Sequence, residues 1–600
     1  ARHSFMQSSF HRDVDFCGSC HDVSNPAVGD LAPNHGAQVT APAVVSSDGV
    51  LGGPIEDKAA FNNPPYAYGI VERTFSEYKA SAYPTTRVGN FNSLPDDLKV
   101  DGGSVEVTYQ AALIAAVEAQ EHGGIAGDYA DGAPRFFSCQ SCHMRPVESA
   151  GADKNDVEVR EDLPSHDHTG GNYWFADVTR YQDQNAVLRL GGELDASQLE
   201  ALGLGQQRAI KHLQQAASLQ VIGDTLKVVN LTGHKLISGY PEGRRMWVNI
   251  KWYDAGQELL REDGAYGPLF HKTGAPVLVA NPAGGPDVQV ESILHLDDSY
   301  TRIYEAEYAM TSEWAETLIA TGKPGSLVLS YDRLSGEADY TLGDLAAQAP
   351  GTHHETFHFA LNNYVALDNR IPPYGMRYDE AKKRNVLPVP ETQYGSPTTG
   401  GVYNYWDELD LEALKPETAV TAEITLLYQG TTWEYIQFLK EANNGTDPAE
   451  GGNAFLGNEG ENMLEAWINA EVPVSLEVAG DHKMVPPVVM AKASWVNSVV
   501  AYTVGGTVRG LQGSGLVLRN NTADDLSITM DGPFIFATPL EAGSEYEVRV
   551  LTQPKNPTQF CSISNESGTI QMVNVDDVDV TCVSEDNLIF SDGFEGPDDQ

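Results

Sequence analysis

Two pentapeptides carry the chemistry most legible in this chain: Cys17-Gly18-Ser19-Cys20-His21 and Cys139-Gln140-Ser141-Cys142-His143. Two thiols separated by two residues can add across the two vinyl groups on one edge of a porphyrin. The histidine that follows then reaches under the ring to the iron, so each string has the attachment pattern of a c-type haem. With 6 cysteines and 16 histidines in 600 residues, chance yields only about 0.002 such strings. A zinc site or a thioredoxin-like redox pair would use the same thiols. A zinc ribbon, however, brings its pairs within about 15 to 20 residues, and neither pair lies in an evident βαβ context. The expectation is two covalently attached haem c cofactors, with Cys17, Cys20, Cys139 and Cys142 as thioethers and His21 and His143 as proximal iron ligands. Covalent haem attachment occurs outside the cytoplasm, which implies an exported protein, periplasmic or extracellular. The same compartment permits a disulfide between Cys561 and Cys582, closing a ~20-residue loop worth about 3 kcal/mol.

The elements that must position these groups read in three blocks. Residues 1–222 hold both motifs, much Gly, Pro and Asp, and few helical patterns: Val105 to His122, ending at Gly123-Gly124, and Gln206 to Val221, ending near Gly223. This is a mostly helical or irregular dihaem domain organised by its cofactors. From residue 223 the period becomes two: Met246, Val248, Ile250 and Trp252 alternate with Trp247, Asn249, Lys251 and Tyr253, the pattern of a half-buried strand. Similar runs at Val288 to Leu296, Thr301 to Tyr308, Ser326 to Tyr331, Thr356 to Leu367 and Ala419 to Tyr428 predict an antiparallel β-sandwich over 223–485. One or two helices join it, one opened by Thr431-Thr432-Trp433-Glu434. Residues 500–583 read as a small β domain, and 584–600 as an acidic tail. The fold class is therefore multidomain.

Several strings resemble secreted bacterial multihaem c-type cytochromes: Phe16 to Pro26, Val71 to Tyr78, Cys139 to Met144, Gly233-His234-Lys235-Leu236-Ile237-Ser238-Gly239-Tyr240 running on to Trp247, and Asp368 to Pro373. In that family the segment like Gly233 to Gly239 places a histidine near haem, which here is His234. This chain has Ile237 where proline is usual. Residues 504–582 resemble a small Ig-like β-sandwich repeat of bacterial surface proteins, with Cys561 and Cys582 in the expected places. Relatives of the haem portion carry further motifs upstream, so the resemblance implies that Ala1 is a processed or truncated end, and that His3 and His11 serve haems encoded elsewhere.

The sixth iron ligand decides function: a filled position suits electron transfer, an open one ligand binding or catalysis. His166 and His168 lie in the loop Ser165 to Asn172, and the similar segment of related cytochromes carries a distal ligand. His234 is the second distal candidate. His11, six residues before the first motif, is placed for a neighbouring haem rather than its own. His122 and His35 are weaker candidates. His353, His354 and His358 could form a metal cluster or be ordinary turn and sheet residues. Tyr68, Glu72 and Arg73 read either as buttresses of the haem domain or as ordinary polar packing.

Subtracting 84 acidic from 38 basic residues leaves a net charge of −46, which argues against nucleic acid as a partner. No run reaches the ~18 apolar residues of a membrane helix, so no integral membrane segment is expected. The leading reading is an exported dihaem cytochrome transferring electrons to and from redox partner proteins through bis-histidine low-spin haems, more an electron carrier than a catalyst. Two alternatives stay open. One is a haem enzyme with an open site, peroxidase-like or acting on small nitrogen compounds. The other is a surface or filament-forming cytochrome whose haems meet across neighbouring subunits or an upstream haem-bearing segment.

Overall fold

The computed structural model describes residues 9–23, 70–144, 146–151, 156–166, 170–189, 192–296, 299–320, 322–359, 361–442, 457–473, 475–497 and 501–584. The chain is multidomain, built of many small, mostly antiparallel sheets with interspersed helices. It forms two compact units. One comprises Ala1–Lys251, Arg261–Leu414 and Glu423–Ala493; the other comprises Trp252–Leu260, Lys415–Ala422 and Ser494–Gln600. Among the described residues no helix is long and apolar enough to cross a membrane.

In the first unit both cysteine motifs lie on short helices fixed by their own polar residues. Asp13 caps Val14–Gly18 by accepting the Asp15 amide. The second motif is the helix Cys139–His143 itself, closed by a reciprocal cap between Ser138 and Ser141. Ser141, a spacer in the motif, thus satisfies an amide that would otherwise be orphaned at the helix start. The periodic run from Val105 forms not one helix but two, Ser104–Ala112 and Ala116–Glu121, joined by a 3-10 turn at Leu113–Ala115. It ends as anticipated, with Gly123 at φ 83° and the Gly124 amide bonded to the Ala119 carbonyl at 2.8 Å.

The helix expected over Gln206 to Val221 starts earlier and stops sooner. Asp195 and Gln198 cap it at Ala196 and it ends at Gln215. Ala217–Ile222 instead forms a hairpin with Thr225–Asn230 around Gly223, at φ 59°. The β-branched Val221 and Ile222 before a Gly-Asp turn favour the ladder over another helical turn. The hairpin continues into Trp406–Asp410 as a three-stranded sheet.

The strand Arg245–Tyr253 is not half-buried as its alternation predicts; every residue from Arg245 to Ile250 is buried. Its second face is covered by residues 263–264: the Trp247 indole donates to the Gly264 carbonyl at 2.9 Å, and Asn249 donates to the carbonyls of Asp263 and Gly264. A further sheet orders His353–Glu355, Ala306–Thr311 and Tyr364–Asp368. The extended run expected over Thr356 to Leu367 keeps only its end as strand, because residues 356–359 and 361–363 turn. The helix after Thr431 spans Trp433–Ala442, with Thr432 capping the Tyr435 amide.

In the second unit two four-stranded sheets share one apolar core that includes Val504, Leu516, Phe536, Val548 and Val580. One sheet contains a parallel pair, Val504–Arg509 beside Val575–Ser584. Cys561 and Cys582 face each other across an antiparallel pair and form the disulfide.

Candidate haem sites

The two motif helices meet. Gln140 Nε2 donates to the carbonyls of His11 and Asp13 at 3.3 and 2.8 Å, tying the second motif to the cap of the first. The neighbouring Cys139 thiol lowers the Cys17 pKa to about 7, and Cys17 together with burial pushes Cys139 up. All four motif cysteines are thiols rather than disulfides. In a haem-loaded protein their sulfurs stand for the thioether positions. Thr108 Oγ1 lies 3.4 Å from Cys142 Sγ, and Ser19 Oγ lies 3.8 Å from Cys20 Sγ. Gly18 is needed at close quarters, since a Cβ there would sit 2.7 Å from the Phe75 ring.

At the first motif, His21 Nδ1 lies 3.1 Å from Glu72 Oε1. That hydrogen bond raises the His21 pKa against the opposing effect of burial. It also leaves Nε2 as the nitrogen able to meet a metal. Glu72 is held by backbone bonds: the amides of Val71 and Glu72 both donate to the Val23 carbonyl, and the Phe75 amide donates to that of His21. The His166 ring lies 6.3 Å from that of His21, centroid to centroid, with planes 59° apart. Burial raises the Asp22 pKa against the neighbouring Arg73 guanidinium at 3.8 Å.

At the second motif, two histidine rings approach His143: His234 at 6.1 Å with planes 17° apart, and His212 at 5.3 Å with planes 47° apart. His234 Nδ1 lies 3.0 Å from the Lys235 carbonyl, and burial lowers its pKa, keeping it a neutral ligand type. The loop that carries it is anchored from three sides. Asn230 and Thr232 donate to the His234 carbonyl; Lys235 Nζ reaches Asp368 at 2.6 Å; and Glu77 accepts from the Lys235 amide and the Ser238 hydroxyl. Arg370 completes a buried network by pairing with both Asp368 and Glu77.

Of the other histidines read from the sequence, His11 sets its ring against Phe16 at 5.3 Å. His168, His35 and His3 lie outside the described residues, as does Tyr68. His122 caps the helix Ala116–Glu121. His353 packs on Tyr364 of its own sheet, while His354 bonds to Ser330 and His358 to the Val328 carbonyl, both on the separate strand Val328–Tyr331. Among the described residues no three His, Cys, Asp or Glu side chains gather as a metal-binding group. Sequence reasoning missed His212, which lies in the last turn of Ala196–Gln215; only the helix period, followed to the hairpin, would have turned it toward the second motif. The paired role of Glu72 and His21 was likewise hidden by the 51 residues between them.

Three observations test whether these residues fit a haem. The donor set is right: paired thiols with an imidazole at each motif. The chain leaves apolar surface uncovered beside both motifs, with Phe10, Phe16 and Phe136 exposed by 48%, 40% and 40%. Tyr83 Oη and Gln140 Oε1 are buried without a hydrogen-bond partner among the described residues. The residues fit the group.

No protein-family profile and no curated protein matches this chain. One solved structure that aligns with it is a penta-heme cytochrome c552 from Thermochromatium tepidum, at 13% identity and a TM-score of 0.19, over 60% of this chain and 55% of that one. The alignment thus spans about half the length of that cytochrome.

Proposed function

We propose that this chain is an exported dihaem c-type cytochrome that transfers electrons through two bis-histidine, low-spin haems. His21 and His166 would hold the first iron, and His143 and His234 the second. Haem c, when bound, supplies a reversible ferric/ferrous couple. The observation that carries the reading is a spacing. Two imidazoles that held one metal between them, each with a bond of about 2 Å and a ring nitrogen about 1.2 Å from its centroid, would have centroids about 6.4 Å apart. The His21–His166 and His143–His234 pairs lie at 6.3 and 6.1 Å. His212, at 5.3 Å from His143, is too close for that arrangement and fits better as a neighbour of the proximal ring.

The chain's own residues do the rest. Ser138, Ser141 and Gln140 fix the second motif against the first, so Cys17, Cys20, Cys139 and Cys142 would hold the two haems from neighbouring helices. Glu72 and the Lys235 carbonyl orient one imidazole of each pair through Nδ1. In this reading residues 1–222 carry the haems, and 223–485, as a β-sandwich, close over them with His234. Residues 500–583 are read as an Ig-like surface module, while residues 585–600, which the sequence reads as an acidic tail, lie outside the described residues. Redox partner proteins are the implied partners, meeting a strongly acidic chain.

The test is an absorption spectrum of the oxidised and reduced protein with a haem-to-protein count, followed by carbon monoxide on the reduced form. Two low-spin haems per chain that ignore carbon monoxide are expected. A native haem that binds it rapidly would refute the filled sixth position and return the enzyme reading.

A further inference from the structure

A cavity of about 180 Å³ is lined from the strands Ala306–Thr311, Val328–Tyr331 and His353–Glu355, the helix Trp433–Ala442 and the loop that carries Glu242. Its lining is of two kinds. Glu242, Glu307 and Glu355 bring carboxyl groups, and Tyr331, Phe357 and Phe438 bring rings. The rings form one cluster, with Phe438 edge-on to Tyr331 at 6.1 Å and to Phe357 at 5.6 Å. We infer that this cavity binds a small primary alkylammonium ion, with the charged head on the carboxyls and the alkyl chain on the rings. A cation of this kind is the ligand that uses both walls, since its N–H groups make charge-assisted bonds to carboxylates and its body is attracted to ring faces. Among the described residues the carboxyls do not gather as a metal-binding group, and a hydrated metal ion has no use for the aromatic wall.

The charged groups around the cavity are engaged with one another. Arg245 bonds Glu305 at 2.9 Å and Glu434 at 3.4 Å, and Arg333 bonds Glu434 at 2.8 Å and the Ile293 carbonyl at 2.9 Å. Glu305 and Glu434 thus match the two guanidiniums, and Glu242, Glu307 and Glu355 exceed them. Arg370, Asp368 and Glu77, which act on Tyr308 in the cavity wall, belong to the closed network around Lys235. Arg244, which acts on Tyr435 beside Glu242, is bonded to the Ser238 carbonyl and to Asn172. The nearby imidazoles are held as well, His354 by Ser330 and His358 by the Val328 carbonyl, and burial lowers the His354 pKa, which keeps that ring neutral. The cavity answers its acidic excess with protons. Burial, with Glu305 and Glu355 nearby, pushes Glu307 up to about 9, and burial pushes Glu242 up to about 8. An entering ammonium head takes the place of such a proton, which leaves for solvent, so the charge of the cavity is unchanged. Asn362 supplies one more acceptor. It is 4% exposed, its Nδ2 donates to Glu242 Oε1 at 3.4 Å and to the carbonyl of Thr356, another lining residue, at 2.8 Å, and its Oδ1 is buried without a hydrogen-bond partner among the described residues.

The experiment is isothermal titration calorimetry of the holoprotein with n-butylammonium chloride at neutral pH, run in two buffers of different ionisation enthalpy so that proton release is counted with the binding heat. Saturable binding of one cation per chain is expected, with roughly one proton released for each cation bound. Glu307→Gln keeps the shape of the side chain but carries no charge, and should weaken binding about tenfold and abolish most of the proton release. Tetramethylammonium, which has no N–H to donate, should bind about tenfold more weakly than n-butylammonium, and calcium chloride should not displace the bound amine. Thermal melts are read on the same samples. Should Glu307→Gln fail to fold, Glu355→Gln, a change at an exposed residue, decides instead, by weakening binding or failing to. No saturable heat with n-butylammonium, binding without proton release, affinity that neither glutamine variant lowers, tetramethylammonium bound as tightly, or displacement by calcium would each overturn the inference.

Discussion

Replacing Glu77 with Gln tests how the β region holds His234 in place. Glu77 is fully buried. Its Oε2 accepts the Lys235 amide at 3.1 Å and the Ser238 hydroxyl at 2.6 Å, and its Oε1 accepts Arg370 Nη2 at 2.9 Å. Arg370 in turn holds Asp368 at 2.7 and 2.8 Å, and Asp368 takes Lys235 Nζ at 2.6 Å. Burial would push the Asp368 carboxyl up, but Arg370 and Lys235 outweigh it and hold it below the usual range. Two cations and two anions thus close on each other away from water. Glutamine keeps the shape and one acceptor but leaves two buried cations facing one carboxylate. Three bonds to an ionised acceptor at roughly 1.5 kcal/mol each give about 4.5 kcal/mol, within the ~3–5 kcal/mol range for removing one partner of a buried pair.

The assay is denaturant unfolding of the holoprotein, with a lowered midpoint at unchanged slope as the expected result. Because Lys235 and Ser238 flank the His234 loop, the same variant should weaken the low-spin signature of the His143 iron and leave that of the His21 iron intact. Pairing Glu77→Gln with Arg370→Met removes one charge of each sign, and should recover part of the loss, since a neutral pair carries no uncompensated charge. A single variant within about 0.5 kcal/mol of wild type, the scatter of ordinary surface changes, would refute the reasoning. So would a double variant no better than the sum of its parts.

His234→Ala should open the sixth position of one iron, so that the reduced protein binds carbon monoxide at one haem of two; binding at neither would remove His234 from the ligand set. Burial pushes the Glu242 carboxyl up to about 8 against the Tyr240 hydroxyl and Asn362. A folded pKa above the ordinary value means its contribution is intact below about pH 4.5 and is lost as pH rises through 8. Thermal melts at pH 6 and 9 should therefore show Glu242→Gln escaping a loss of roughly 3 kcal/mol that the wild type suffers over that interval. Equal losses in both proteins would contradict it. Cys582→Ser opens a loop whose ends are 21 residues apart. It should cost the second unit about 3 kcal/mol without altering haem absorption, and an unchanged melt would show the bridge to be dispensable.

What the sequence revealed of the site follows from how each ligand is constrained. In the proposed reading a proximal histidine must adjoin two thiols at fixed spacing because all three would meet one porphyrin, so His21 and His143 are written directly after their cysteines. A distal histidine need only arrive at a point in space, and the chain is free to bring it from anywhere. His166 comes to His21 from 145 residues away, and His234 to His143 from 91. No local period records such a meeting; His234 was legible only through the resemblance of its loop, and His212, lacking any such string, was not legible at all. The fold divides in the same way. The Gly123-Gly124 stop and the Thr432 cap are local, and the sequence announces them. The second buried face of Arg245–Tyr253 depends on residues 263–264 folding back over Trp247 and Asn249, and the strand's own alternation cannot encode that cover. Glu72 belongs with the distal ligands in this respect. Its carboxylate reaches His21 because two backbone bonds to Val23 pin it there, and so the group that holds the His21 ring is one the motif never shows.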